Sequence, residues 1–430
     1  MPTVCIDGAN LSLAKGSGIA VYGRNLLHGL KQLGFGTQVL LGPGTPRHAT
    51  DFMNEVAIAD AAKSRPKKGL RRALSTVSAR FGLTAYPIIS TGMVQLPALG
   101  SADVDSYWAS RDIYNLSNRA FRQYRTFVPV AFDGERSDTV TPDIVHWTAP
   151  MPLKARNAIN VYTFHDLIPL RYPYATAEDK RAYFDQCAKI VRIADHIVTV
   201  SESSRSDLIR MFGADPSRIT NTYQAVDIPL DTLAVPAEEI AITLERQFSL
   251  GWKDYYIFFG AIEPKKNVLR LVEAYLASGS TRPLVIVAGR SWLADPDTDL
   301  LDQMTKPESF GAGVRRLEYL PTSMLRNVIR GARATLFPSL TEGFGLPILE
   351  SMSLGTAVIT SGQGALGEVA GSAALTIDPL DVRAISAAIN RLDTDEEMRN
   401  QLERDGLDQA NKFSPCAYND RLSAVYSALE

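Results

Sequence analysis

Short apolar runs, each closed by a glycine or a polar residue and followed by a segment of helical period, recur along both halves of this chain. Val4-Cys5-Ile6 stops at Asp7 and a glycine-bearing loop that lasts to Gly18. Ile19, Tyr22, Leu26, Leu30 and Leu33 then recur three or four residues apart, and the period ends at Gly34. Further runs lie at 38–41, 144–147 and 160–164, a helix fits 177–193, and a strand at 196–200 leads to a helix capped by Ser201 and ended by Gly213. The second half repeats the alternation, with strands at 255–259, 284–288, 315–319, 334–337 and 357–360 and helices at 267–277, after Pro321 and at Pro347. Strands joined through helices pair in parallel, because only a crossover can return the chain to the same edge. Each half therefore predicts an α/β unit, a doubly wound parallel sheet.

Length supports the division, since 430 residues exceed what one core usually organises. A boundary is expected between Asp227 and Glu239, where Pro229 and Pro236 interrupt an acidic, irregular stretch, giving domains 1–230 and 231–413. A final segment, 414–430, has Phe413, Tyr418, Leu422 and Tyr426 on one helical face. The formal charge of −2 argues against a nucleic-acid partner, which calls for a basic excess. Cys5, Cys187 and Cys416 are far apart and odd in number, as expected in a reducing cytoplasm. No apolar stretch reaches 18 residues, and 1–10 lacks the pattern of a signal peptide.

One segment departs from this neutrality. Between Ala61 and Ala102 there is no acidic residue, while Lys63, Arg65, Lys67, Lys68, Arg71, Arg72 and Arg80 are basic. Leu70, Leu74, Val77 and Phe81 recur among them at helical spacing. Residues 63–81 thus read either as a solvated surface helix or as a docking face for anionic lipid headgroups.

Four loops can carry chemistry. Thr341-Glu342-Gly343-Phe344-Gly345-Leu346-Pro347-Ile348-Leu349-Glu350 joins a strand end to a helix start. Its glycines let a ligand approach the backbone, and the first amides of the helix form an anion site suited to a diphosphate. Gly260-Ala261-Ile262-Glu263-Pro264-Lys265-Lys266-Asn267 sets two lysines after another strand, as positive charge for a departing phosphate. His165 ends a strand where side chains point into the cleft of such sheets, followed by Asp166; Ser201 and Arg205 open a helix on the same side. Gly16-Ser17-Gly18 does not fit dinucleotide-binding spacing, its loop being too long and its third glycine replaced by Val21. Metal independence is expected, because lysines and helix amides can do a cation's job at the diphosphate.

The first of these loops resembles the Glu-x7-Glu signature of the family 4 retaining glycosyltransferases of GT-B fold. The resemblance extends to the loop ending at Gly18, the histidine at 165, the lysine loop, the Ser361–Glu368 loop and the final helix. It implies two Rossmann-like domains facing across a cleft, with the nucleotide-sugar donor on the second domain, the acceptor on the first, and the last helix crossing back. Glu342, Lys266 and His165 are then the catalytic set. Gly18, Lys265, Lys266, Gly343, Phe344, Gly345, Leu346, Glu350, Ser201 and Arg205 bind the donor, with Glu350 on the ribose. The family's arginine after the strand is replaced here by Ala261 or Ile262, and Lys265 is its substitute. Similar bacterial sequences are mannosyltransferases of O-antigen or exopolysaccharide assembly. The expected donor is GDP-mannose, with rhamnose, glucose or GlcNAc nucleotides as alternatives, and the expected acceptor is a saccharide, lipid-linked at the inner membrane face. No cofactor is expected beyond the co-substrate. A sugar-nucleotide epimerase and an inactive binding subunit remain open as other classes.

Overall fold

The structure, a computed structural model, describes residues 2–11, 18–44, 47–59, 70–94, 103–134, 139–176, 178–288, 313–318 and 320–429. Gly16, Ser17, Lys63, Arg65, Lys67 and Lys68 lie outside the described residues.

The strands of the first half are β1 (Thr3–Asp7), β2 (Gly36–Leu41), β3 (Leu83–Ile88), β4 (Ser106–Ala109), β5 (Val128–Phe132), β6 (Ile144–Trp147), β7 (Leu153–Ala155), β8 (Ile159–Phe164), β9 (His196–Thr199) and β10 (Ile219–Asn221). They form one sheet in the order β10-β9-β8-β6-β1-β2-β4-β3-β5-β7. Pairing is parallel from β10 through β4, as the helix crossovers require. It reverses at β3, which runs antiparallel to β4 with Tyr86 opposite Ala109, and β5 and β7 follow β3. The doubly wound core is as read, but three edge strands run the other way, a common extension of large parallel sheets. β3 lies within the acid-free stretch between Ala61 and Ala102.

The second half contributes β11 (Tyr256–Phe259), β12 (Leu284–Val287), β13 (Val314–Leu317), β14 (Ala334–Phe337), β15 (Ala357–Ser361) and β16 (Leu375–Ile377). These pair in parallel throughout, in the order β13-β12-β11-β14-β15-β16. Every residue of β11, β12 and β14 is buried, which is why they read as unbroken apolar runs. Chain direction across the sheet reverses between β11 and β14, so the loops leaving these two strands part and open a crevice at their carboxyl ends. In the first domain the same reversal falls between β1 and β6.

The helix Pro415–Ser427, capped by Ser414, returns to the first domain. Phe413, Tyr418, Leu422 and Tyr426 are all buried, and burial of an aliphatic side chain such as Leu422 contributes about 1.5–3 kcal/mol. Its fit against the helix Gly18–Gln32 depends on Gly29, where a Cβ would come within 2.6 Å of Asn419 Oδ1 and 2.9 Å of Leu422 Cδ1. Tyr426 also lies in hydrogen-bond contact with His146, its hydroxyl 2.5 Å from Nδ1, and His146 Nε2 lies 2.6 Å from Thr163 Oγ1 in β8.

The helix Leu70–Ala79 is turned against the usual rule. Thr76 and Ala79 face inward, whereas Leu74 is 59% exposed, Val77 38% and the adjoining Phe81 77%. Arg80 flanks this outward apolar row, its guanidinium 4.5 Å from the centre of the Tyr124 ring.

Candidate active site

The two loops at the β11/β14 switch point are stitched to each other. After β11, Gly260 takes φ +133°, a tight bend that a side chain would strain, and a 3-10 turn, Pro264–Lys266, follows. The Leu340 amide donates to the Lys265 carbonyl at 2.8 Å, and Asn267 Nδ2 donates to the carbonyls of Pro338 and Pro379 at 3.1 and 2.7 Å. These bonds hold the lysine loop against the Glu342 loop.

Glu342 and Lys266 meet directly, with Lys266 Nζ 2.5 Å from Oε1 and Ser339 Oγ donating to the same oxygen at 2.7 Å. Lys265 Nζ lies 3.8 Å from Oε2 and 3.5 Å from the exposed Glu263. Burial alone would raise the Glu342 carboxyl, but Lys266 and Lys265 outweigh it and hold the group below the usual carboxylate range. The converse holds for Lys265: burial works against its charge, and Glu342, Glu263 and Asp166 raise its pKa above the ordinary lysine value. Two ammonium groups thus converge on one buried carboxylate at a strand end, with Lys265 also facing Glu263 and Asp166.

Beside them the helix Leu346–Ser353 begins at Gly345, with φ +119° and no side-chain cap, and with Pro347 in its first turn. Uncapped amides and the helix dipole make this start an anion-attracting position. Gly343 is required for a different reason: a Cβ there would lie 2.5 Å from the His165 carbonyl oxygen of the other domain. Phe344 is buried and packs on Phe413 and Tyr223. Leu346 faces Gly18, whose added Cβ would lie 3.6 Å from Leu346 Cδ1. Glu350 is partly buried, and desolvation pushes its carboxyl up to about 7 against the opposing charge of Arg326. A carboxyl so placed, one helical turn from the anion position, gains from donors such as sugar hydroxyls.

Across the cleft, His165 Nε2 lies 2.8 Å from the Thr148 carbonyl oxygen. A carbonyl only accepts, so the proton sits on Nε2 and Nδ1 is left as an acceptor. Burial pushes the imidazole down to about 4, so the ring is neutral near pH 7. The Tyr22 ring meets it edge-on at 5.0 Å. Asp166 caps its own turn, accepting from the Ile168 amide at 2.9 Å. The structure therefore brings Glu342, Lys265, Lys266, Gly343 and the His165–Asp166 turn into one cluster.

Ser201 and Arg205 are employed elsewhere, which corrects the expectation that they face the donor. Ser201 is fully buried and its hydroxyl accepts from the Ser204 amide at 3.1 Å. Arg205 donates to the carbonyls of Ile219 and Pro216, both at 3.3 Å. The start of this helix, Glu202–Phe212, is occupied from the opposite domain, where Glu368 accepts from the Glu202 and Ser203 amides at 2.7 Å each. Sequence reading missed this cap, and also missed Ser339, Asn267 and the Thr148 carbonyl. Asn267 left a signal, standing just before a helix at φ 60°, a conformation Asn tolerates. A backbone carbonyl leaves none.

Comparison with known proteins bears on both halves of the chain. A family model described as Glycosyltransferase Family 4 matches residues 105–229, and one described as Glycosyl transferases group 1 matches residues 245–409. Glycosyltransferase family models thus match both halves of the chain. The O-antigen chain mannosyltransferase B of Escherichia coli is 36% identical over 262 residues, covering 59% of this chain and 66% of that protein. The serotype-specific mannosyltransferase WbdA of the same organism is 29% identical over 296 residues, covering 64% of this chain and 35% of that protein. The match thus spans just under two thirds of the first relative and about a third of the second. Among solved structures, sucrose-phosphate synthase from Thermosynechococcus elongatus superposes with a TM-score of 0.69 at 15% identity, over 100% of this chain and 99% of that one. HepE from Anabaena, solved with UDP and glucose, gives 0.65 at 13% identity over the full length of both. These two likenesses establish the GT-B fold.

Proposed function

We propose that this chain is a retaining glycosyltransferase that moves mannose from GDP-mannose to a saccharide acceptor, lipid-linked, in the assembly of O-antigen or a similar polysaccharide. The observation that carries the reading is the Lys265–Lys266–Glu342 cluster beside the uncapped start of Leu346–Ser353. The mannosyltransferase relatives favour the donor sugar. In this reading the two lysines and the helix amides hold the diphosphate, so the positive charge comes from the protein, without a metal or other cofactor. Glu350 receives the ribose hydroxyls, while Glu342 and His165 flank the sugar.

Chemistry follows from what surrounds the anomeric carbon. Its bond to the phosphate oxygen breaks as the acceptor oxygen bonds on the same face. The acceptor proton passes to the departing phosphate oxygen, and the lysines and amides stabilise the charge left on the diphosphate. Neutral His165, with Nδ1 free to accept a hydrogen bond, suits a sugar hydroxyl better than an imidazolium would, because it adds no charge opposing the oxocarbenium-like sugar.

Thermal-shift measurements across GDP, UDP, dTDP and ADP sugars test the donor. GDP-mannose is expected to give the largest shift; a larger one from another nucleotide moves the donor, and none from any removes the glycosyltransferase reading. A second partner follows from the outward row Leu74, Val77 and Phe81 beside Arg80 in a segment without acidic residues. We propose that this face docks on anionic phospholipid, which places the chain in the cytoplasm, peripheral to the inner face of the membrane. No helix among the described residues is long and apolar enough to cross a membrane. Flotation with phosphatidylglycerol vesicles checks the docking; capture by neutral vesicles only, or by none, removes it.

A further inference from the structure

At the other edge of the second sheet, where the strands begin, a cavity of about 320 Å³ is lined by Trp252, Lys253, Arg330, Gly355, Arg399 and Glu403. Lys253 precedes β11, Gly355 precedes β15, and Arg330 ends the helix before β14. The cavity is thus separated from the cleft by the length of the strands, about 13 Å for four residues.

Its charges do not cancel. Lys253 Nζ lies 2.9 Å from Glu403, and Arg399 bonds Glu403 at 2.5 Å and also Glu396. Arg333 continues the row, 3.0 Å from Glu396 and 4.0 Å from Asp393. Three cations and three carboxylates alternate there, and the row is balanced. Arg330 stands beside it as an additional cation whose recorded bonds, at 2.7 and 3.2 Å, go to the carbonyls of Thr232 and Val235. Burial lowers the Lys253 pKa; Glu403 counters this, while Arg399 and Arg330 push it further down. Positive charge is therefore crowded on one wall of a cavity, and the cheapest relief is an anion. Lys253 is held there at φ 57°, a conformation that costs a side-chain-bearing residue energy unless the surroundings enforce it.

We infer that this cavity is a second, phosphate-binding site, distinct from the cleft and taking a phosphomonoester dianion, either free or carried on a small sugar. Arg330 and Lys253 supply charge-assisted hydrogen bonds to the phosphate oxygens. The volume, roughly that of ten waters at about 30 Å³ each, leaves room beyond a phosphate group. The Trp252 ring is the apolar wall that a sugar would meet.

Calorimetric titration of the whole chain with inorganic phosphate, at constant ionic strength, tests this site. Saturable binding of one phosphate is expected, weakened about tenfold or more in Arg330→Gln, in line with the loss of one bond between charged groups. Lys253→Gln gives the same loss by an independent route, and melting curves verify that each variant is folded. Lys266→Ala, which alters only the cleft, is expected to bind phosphate at this site as the parent does. α-D-Glucose 1-phosphate distinguishes the two sources: tighter binding that Trp252→Ala abolishes assigns a sugar phosphate, and equal binding assigns the free ion. Absence of saturable binding, indifference to both Arg330→Gln and Lys253→Gln, or loss only in Lys266→Ala overturns the inference.

Discussion

The two faces of the cleft are built from opposite materials. On the second domain, Lys265, Lys266 and Glu342 form a dense charged cluster at the carboxyl edge of an all-parallel sheet. On the first, the facing groups are an imidazole depressed to about 4, a threonine carbonyl, backbone at His165 and the Asp166 carboxyl, so none of those named adds a cation. The difference teaches how such a cleft divides its work. Charge must wait where charge will develop, on the diphosphate, while the side that meets a sugar with oxocarbenium character does better without a fixed cation.

The sharpest way to break this contrast is to remove its charge. Glu342→Ala and Lys266→Ala are each expected to keep the fold and lower transfer from the nucleotide sugar by a hundredfold or more, the scale of one lost electrostatic contact of about 3–4 kcal/mol. Near-normal turnover in both would end the assignment. Glu350→Gln probes the charged side more gently. In the parent, donor affinity is expected to rise from pH 6 to pH 8 as a carboxyl poised at about 7 ionises and accepts from the ribose. Stability runs the other way. A carboxyl raised by folding binds more protons folded than unfolded, so its contribution falls as pH rises from about 4.5 through 7. Glu350→Gln is then expected to weaken donor binding several-fold at pH 8, to flatten its pH dependence, and to raise the melting temperature there by roughly 2–4 °C. A variant with parental affinity and an unchanged pH profile would detach Glu350 from the donor. The smallest effect on catalysis belongs to the first domain's outer face. Leu74→Asp combined with Phe81→Asp is expected to release the chain from anionic vesicles, yet change transfer to a soluble acceptor by less than about twofold.

Much of this arrangement could be read from residues because it is local. A strand end, two glycines, Pro347 and Glu350 lie within a few residues of each other, and their spacing alone predicts a loop, an anion position and a carboxylate one turn in. The lysine loop was legible for the same reason. What escaped depends on distant partners. Nothing near Leu83–Ile88 announces that it will pair antiparallel to β4, since register is decided by neighbours in space. The spacing of Leu74, Val77 and Phe81 marks an apolar row without saying which way it faces, and here it faces out. Ser201 and Arg205 were correctly placed at a helix start but assigned to the donor; a carboxylate from position 368 and two backbone carbonyls claim that region instead.

The returning helix has a consequence for biosynthesis. Gly29 is made 390 positions before Asn419, and His146 280 positions before Tyr426, yet residues 419–426 are what close the surface against both. Throughout translation the nascent first domain must carry that apolar seam uncovered, in need of protection from aggregation. The last helix thus adds a late-made contact to those that Glu368 and Gly343 make between the domains.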